Sequence, residues 1–151
     1  MYSKQEASLL NQEFWTTLGQ YMAPIKSFEG QKINWINYKT GVRYIRFVLS
    51  VENKVASITI ELTHKDPVVQ EVSYEKFLLL KTALQQITGV NWTWEKMNTD
   101  PHGRLVSLVS LRKPNVSVLN KTDWPELISF FKNHLVSLDE FWCQNKFIFE
   151  I

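Results

Sequence analysis

The stretch VRYIRFVLSVENKVASITIEL, residues 42–62, decides the fold. Its second half alternates apolar and polar residues with a period of two, as a strand buried on one face does. The apolar set there is Ala56, Ile58, Ile60 and Leu62. Residues 42–51 repeat the pattern, and the intervening Glu52-Asn53-Lys54 has the composition of a short turn. The stretch therefore predicts two antiparallel strands joined by a hairpin.

A further strand is predicted just before this hairpin. Residues Ile33–Tyr38 are rich in apolar and aromatic side chains, and Lys39-Thr40-Gly41 follows them. Gly41 can adopt the positive φ that a short hairpin loop requires. We therefore expect a three-stranded antiparallel meander with at least one face in contact with solvent.

Helices are predicted on both sides of the meander from their capping signals. Ser3 and Glu6 form a capping box before a helix over residues 4–22. Asp66-Pro67 begins a second helix that ends near Gly89, and Ser73 is a point at which this segment could divide into two. The last helix runs from Thr122 or Asp123 to about Asn145.

Two more strands are predicted between the second and last helices. They cover Val90–Met97 and Arg104–Leu111, with a turn at Asp100–Gly103 between them. The tail, residues 147–151, alternates like a short strand and is expected to pack. The prediction is a single α+β domain, residues 1–151, with the element order αβββαββα.

Bulk composition narrows the functional classes. The chain has 151 residues, 44% of them hydrophobic, which is enough for one core. A net charge of +2 without a basic stripe makes nucleic-acid binding a lesser expectation. Cys143 is the single cysteine, so no internal disulfide can form. No apolar run has the length of a signal peptide core or a membrane span, so a cytoplasmic location without membrane contact is expected.

The densest group of chemically capable residues follows the predicted third strand. Glu61, His64, Lys65 and Asp66 are acid/base or metal-binding types at a strand end, where clefts form. Each residue also has a structural interpretation: Glu61 on a solvated strand face, Asp66 as a helix cap, and His64 with Lys65 as a link. Both interpretations remain open at this point, and no sequence motif indicates a metal site or a cofactor.

Aromatic and basic residues on the predicted sheet form a second candidate site. Stacking rings beside cations can hold nucleic-acid bases or a peptide. The alternative is that helices cover this face and the rings are core. The candidate binding residues are Trp35, Tyr44, Arg46, Trp92 and Trp94.

Four strings carry a resemblance to a known family. They are residues 33–41 (INWINYKTG), 61–64 (ELTH), 123–125 (DWP) and 138–142 (LDEFW). On these strings the chain resembles an uncharacterised bacterial family, domain-of-unknown-function family 4268, over nearly its whole length. The resemblance implies a small bacterial cytoplasmic domain and supplies no catalytic residues.

The predicted element order is also similar to the core of restriction-endonuclease-like nucleases. Those enzymes hold Mg²⁺ with an acid in the second strand and a Glu-x-Lys pattern in the third. Glu61 matches the glutamate, but Thr63 stands in the place of the lysine, and residues 42–51 contain no acid. The comparison therefore implies a site that is incomplete for metal binding.

The sequence supports two hypotheses about function. The first is a non-enzymatic binding or assembly module that recognises a protein partner or a second copy of the chain. The second is a degenerate nuclease-like domain that binds or cleaves nucleic acid, with Glu61 as a metal ligand and Lys65 as a phosphate contact.

Overall fold

A computed structural model describes residues 2–150 and shows a mixed α+β fold. Among these residues are four α-helices and four β-strands. In chain order they are α1 (Lys4–Met22), β1 (Ile45–Glu52), β2 (Val55–Leu62), α2 (Pro67–Leu79), α3 (Lys81–Thr88), β3 (Thr93–Thr99), β4 (Leu105–Pro114) and α4 (Trp124–Asn145). Short 3₁₀ turns precede and follow α4, at Lys121–Asp123 and Lys146–Phe149.

The strands form one antiparallel sheet in the order β1-β2-β4-β3. The two central strands are therefore β2 and β4, and β1 and β3 lie at the edges. Ile45 pairs with Leu62 at one end of the β1–β2 hairpin, and Glu52 pairs with Val55 at the other. Asn53 and Lys54 both have positive φ, 52° and 62°, as the two-residue turn of a tight hairpin requires.

One face of the sheet packs against helices to form the core. The alternate residues of β2 that begin at Ala56 are at most 1% exposed, whereas Ser57, Thr59 and Glu61 on the other face are only half-buried. Beyond β2 the core contains an aromatic cluster in which the rings of Phe77, Trp142 and Phe149 lie 4.4–6.2 Å apart. The sheet thus has one covered face and one polar face, as the alternation predicted.

Two of the predicted helix starts, those of α1 and α2, are confirmed by their caps. Ser3 Oγ accepts a hydrogen bond from the Glu6 amide, and the Glu6 carboxylate accepts one from the Ser3 amide. Asp66 Oδ1 accepts from the Val68 amide at 2.9 Å, with Pro67 at the first helical position. The predicted second helix is divided into α2 and α3 at Leu80 rather than at Ser73.

The predicted strand over residues 33–38 is wrong. Asn34 Oδ1 accepts the amides of Ile36 and Asn37, which closes a local turn, and Trp35 donates its ring N–H to the Ile25 carbonyl. An Asn side chain that satisfies nearby backbone amides competes with strand pairing. The three-stranded meander is therefore a two-stranded hairpin, and β1 becomes an edge strand.

The tail also differs from its prediction. Lys146–Phe149 forms a 3₁₀ turn instead of a strand. Phe149 is nevertheless buried against Phe77, so the expectation that the tail packs is confirmed for this residue, while Phe147 is 60% exposed. Ile151 lies outside the described residues.

No helix in the described part of the chain combines the length and apolar character needed to cross a bilayer.

Candidate functional site

The four residues at the end of β2 do not converge on one site. Asp66 caps α2, and its amide donates to His64 Nδ1 at 3.0 Å. Lys65 is exposed. Glu61 lies on the polar face of the sheet, and the residue directly opposite it on β1 is Arg46, a cation rather than the second acid that a metal would need. Within residues 2–150, no group of three His, Cys, Asp or Glu side chains could hold a metal ion.

His64 instead borders a groove beside the start of β1. Its ring meets the Tyr44 ring edge-on at 4.5 Å, and the Arg43 guanidinium lies 4.8 Å from the centre of the Tyr44 ring. Tyr44 has a φ of 70°, which is unfavourable for a bulky residue. The groove has a volume of about 460 Å³, and Val72 and Lys76 of α2 form its opposite wall. It combines aromatic and cationic groups and contains no paired nucleophile and base.

A buried carboxylate joins the segment before β1 to α4. Asp139 is 1% exposed and accepts three hydrogen bonds: from the Phe28 amide at 2.6 Å, the Tyr38 hydroxyl at 2.5 Å and the Cys143 thiol at 3.4 Å. Two of the strings behind the family resemblance, residues 33–41 and 138–142, meet here. Trp142 adds a bond from its ring N–H to the Thr40 carbonyl at 2.8 Å. The cluster lies beside a cleft of about 340 Å³.

The two side-chain donors of this cluster, the Tyr38 hydroxyl and the Cys143 thiol, are held in their protonated forms. Burial and the bond to Asp139 raise the pKa of the Tyr38 hydroxyl. Burial, followed by the negative charge of Asp139, raises the pKa of the Cys143 thiol to about 12. A thiol with such a pKa is protonated at neutral pH and is a poor nucleophile. The cluster therefore fixes the segment before β1 in place rather than supplying a reactive group.

The candidate aromatic residues do not share one surface. Trp35 and Trp92 are buried, at 2% and 8% exposure, and Trp92 donates to Thr88 Oγ1. Trp94 lies on β3 and is half-buried against Tyr74 of α2. β3 is the edge strand opposite β1, so Trp94 is far from Tyr44 and Arg46. Trp35 and Trp92 are part of the core, as the alternative interpretation expected, although both lie outside the strands: Trp35 in the turn before β1 and Trp92 just before β3.

The edge of β1 is the feature that the sequence did not indicate. The Tyr44 carbonyl accepts from the Thr63 amide at 2.9 Å, so the backbone groups of even-numbered residues face β2. The Ile45 carbonyl instead accepts from Thr40 Oγ1 at 2.7 Å, on the far side. Alternation then directs the N–H and C=O groups of Phe47, Leu49 and Val51 away from the sheet. None of these groups has a hydrogen-bond partner among residues 2–150. Leu49 and Val51 are half-buried, whereas Phe47 is 6% exposed beneath the stacked Tyr38 ring. We call these three residues, with their outward backbone groups, the β1 edge.

The two edges of the sheet differ in how they are protected. β3 contains a bulge between Glu95 and Asn98, where Met97 has a φ of 56° and donates its amide to Ser107 Oγ. Bulges and lysines are devices that block strand addition at an edge, and β3 also carries Lys96. β1 runs for eight residues without proline or bulge. β1 therefore retains a regular edge that a further strand could extend.

Gln70 of α2 connects several strand ends through its side-chain amide. It is fully buried, and its amide group donates to the carbonyls of His64 and Leu105 and accepts from Ser107 Oγ at 2.7 Å. Ser107 Oγ in turn accepts a hydrogen bond from the Met97 amide at the β3 bulge. One side chain of α2 thus connects the end of β2, the start of β4 and the bulge of β3. All of its polar atoms are satisfied, so it is a structural group.

Comparison with known proteins gives one family. The family model described as Domain of unknown function (DUF4268) matches residues 10–146, most of the chain. No curated protein and no solved structure matches significantly.

Proposed function

The chain belongs to the DUF4268 family, a description that assigns no activity, and we propose that it is a non-enzymatic module that binds a protein partner by adding a strand to the β1 edge. The observation that supports this most is the unpaired backbone of Phe47, Leu49 and Val51 on a regular eight-residue strand. An extended segment pairs with such an edge through main-chain hydrogen bonds, and side-chain pockets then select the sequence.

The chemistry of the remaining candidate residues favours binding over catalysis. Asp66 and Asp139 are occupied as a helix cap and as a hydrogen-bond acceptor, respectively. Glu61 faces Arg46 across the strand pair. The Cys143 thiol is protonated, with a pKa of about 12. These groups therefore stabilise structure and do not form an acid/base or nucleophile pair.

The surroundings of the β1 edge suit an extended peptide. Leu49 and Val51 are half-buried on the core side of the strand, so an added strand would cover apolar surface there. Arg46 and Glu52 are exposed on the polar side. Each of the three outward residues offers one donor and one acceptor, and each bond formed contributes about 0.5–1.5 kcal/mol net.

Proline at position 49 tests this proposal. Leu49→Pro should abolish partner binding while the sheet stays intact, because the lost N–H points away from β2 and proline is tolerated at such edge positions. The matched control is Leu49→Ala, which removes the same apolar side chain but keeps the N–H. The measurement is affinity capture from a lysate of the native host with wild type and both variants, with circular dichroism to confirm folding.

We expect a protein that is retained by wild type and Leu49→Ala and lost with Leu49→Pro. Equal retention by all three proteins would show that binding does not use the β1 edge. Retention of no protein, combined with failure of the chain to associate with itself, would reject the proposed function.

A further inference from the structure

We propose that the strand added at the β1 edge is β1 of a second copy of this chain, in antiparallel register centred on Leu49. This inference rests on the proposed function and names its partner. Its basis is the symmetry of the β1 sequence, IRFVLSVE, residues 45–52. Arg46 lies three residues before Leu49 and Glu52 lies three residues after it.

A two-fold axis through Leu49 sets the pairing. Leu49 then lies opposite Leu49 of the second copy, and every opposed pair of residue numbers sums to 98, since 49 + 49 = 98. Arg46 lies opposite Glu52 of the second copy because 46 + 52 = 98, and symmetry repeats this ion pair. Phe47 lies opposite Val51 by the same rule. Directly opposed residues share a face, so charges meet on the polar side and apolar residues meet on the core side.

Neighbouring registers lose this complementarity. If the two-fold axis passed through Val48, Arg46 would lie opposite Ser50 of the second copy. If it passed through Ser50, Arg46 would lie opposite Lys54, a second cation. Opposed like charges are destabilising in antiparallel pairs. A centre at Phe47 or Val51 also leaves both charges of β1 opposite uncharged residues. Charge complementarity therefore selects the register centred on Leu49.

The second copy also completes the surroundings of Arg46. In the single chain Arg46 is exposed, and Glu61 lies directly opposite it on β2. In the pair, Arg46 would lie between Glu61 of its own chain and Glu52 of the second copy. The two sheets would join through β1 into one continuous sheet, with the helices of both chains on the same side.

A charge-reversal series tests the pairing by sedimentation equilibrium of the full chain. Arg46→Glu and Glu52→Arg should each weaken self-association about tenfold, since each replaces two attractive pairs with two repulsive ones. The double variant Arg46→Glu/Glu52→Arg should associate about as well as wild type, because the pairs are attractive again with their signs exchanged. An equal mixture of the two single variants should also recover association, since carboxylates then face guanidinium groups in the mixed pair.

Two controls accompany the series. Lys4→Glu makes the same charge change at an exposed position on α1 and should leave association unchanged. Leu49→Pro should produce a monomer where Leu49→Ala does not.

Three outcomes would overturn the inference. The first is a wild-type chain that stays monomeric at its highest soluble concentration. The others are association that is indifferent to both charge reversals, and a double variant no better than the singles. A monomer that still captures another protein with wild type and Leu49→Ala, but not with Leu49→Pro, would leave the proposed function standing. Loss of both behaviours would reject the two together.

Discussion

Replacing Trp142 with Ala is expected to lower the free energy of unfolding by about 4 kcal/mol, at the upper end of large-to-small core substitutions. The side chain is 1% exposed and contacts three aromatic rings. Phe77 is stacked at 6.2 Å, Phe47 meets it edge-on at 5.6 Å, and Phe149 lies at 5.3 Å. Removing the indole leaves a cavity among rings that belong to three different elements, so the surroundings cannot close around it. Urea denaturation of the purified variant measures the loss.

The matched control for this experiment is Trp142→Phe. Phenylalanine keeps a ring in the cluster but loses the N–H that donates to the Thr40 carbonyl, so a smaller loss of about 1–2 kcal/mol is expected. Equal losses for Ala and Phe would mean that the hydrogen bond, and not ring packing, provides the stability. A loss below about 1 kcal/mol for Ala would contradict the placement of Trp142 in the core.

Replacing Asp139 with Ala is expected to cost about 3 kcal/mol, because the Phe28 amide and the Tyr38 hydroxyl both lose a buried acceptor. An unpaired carboxylate in a core lowers stability, and its removal would then raise the free energy of unfolding. Asp139 lies within the apolar face of α4, but its hydrogen bonds make its removal destabilising. Thermal and urea denaturation of the variant give the change in stability.

Two further substitutions separate the contributions within this cluster. Asp139→Asn should cost less than Ala, since its oxygen can accept from the Phe28 amide while the Tyr38 hydroxyl rotates to accept from its NH₂ group. Tyr38→Phe removes one donor and should cost about 1 kcal/mol. If Asp139→Ala proved neutral, the cluster would not be what holds the segment before β1 against α4.

Local patterns in the sequence were sufficient where short-range interactions determine the structure. Strict alternation placed β2 at Val55–Leu62, and the capping box placed α1 at Lys4–Met22. Asp66 and Gly89 marked the ends of the region that forms α2 and α3 for the same reason, since caps act on backbone groups only a few residues away. The break at Leu80 carries no glycine or proline and could not be located from propensity.

The features that the sequence did not reveal depend on particular side-chain hydrogen bonds, both local and long-range, that apolar content does not indicate. Residues 33–38 have the apolar content of a strand, yet Asn34 folds them into a turn and Trp35 bonds to the Ile25 carbonyl. Because residues 33–38 do not pair with it, β1 is an edge strand, and its outward backbone groups at Leu49 and Val51 have no strand beside them. The acid at Asp139 was detectable in principle, because it falls within the apolar stripe of the last helix, between Leu135 and Trp142.

Amide hydrogen exchange along β1 tests the central claim, strand addition at the β1 edge, most directly. The amides of Leu49 and Val51 should exchange rapidly in the isolated chain and slow down as it associates with a second copy or a captured partner. The amides of Arg46, Val48 and Ser50 alternate with them, face β2 and should be protected in both states. Slowed exchange at the Leu49 and Val51 amides, with no change at the three amides that face β2, is the predicted result. Exchange at the Leu49 and Val51 amides that does not change upon association would contradict strand addition at β1.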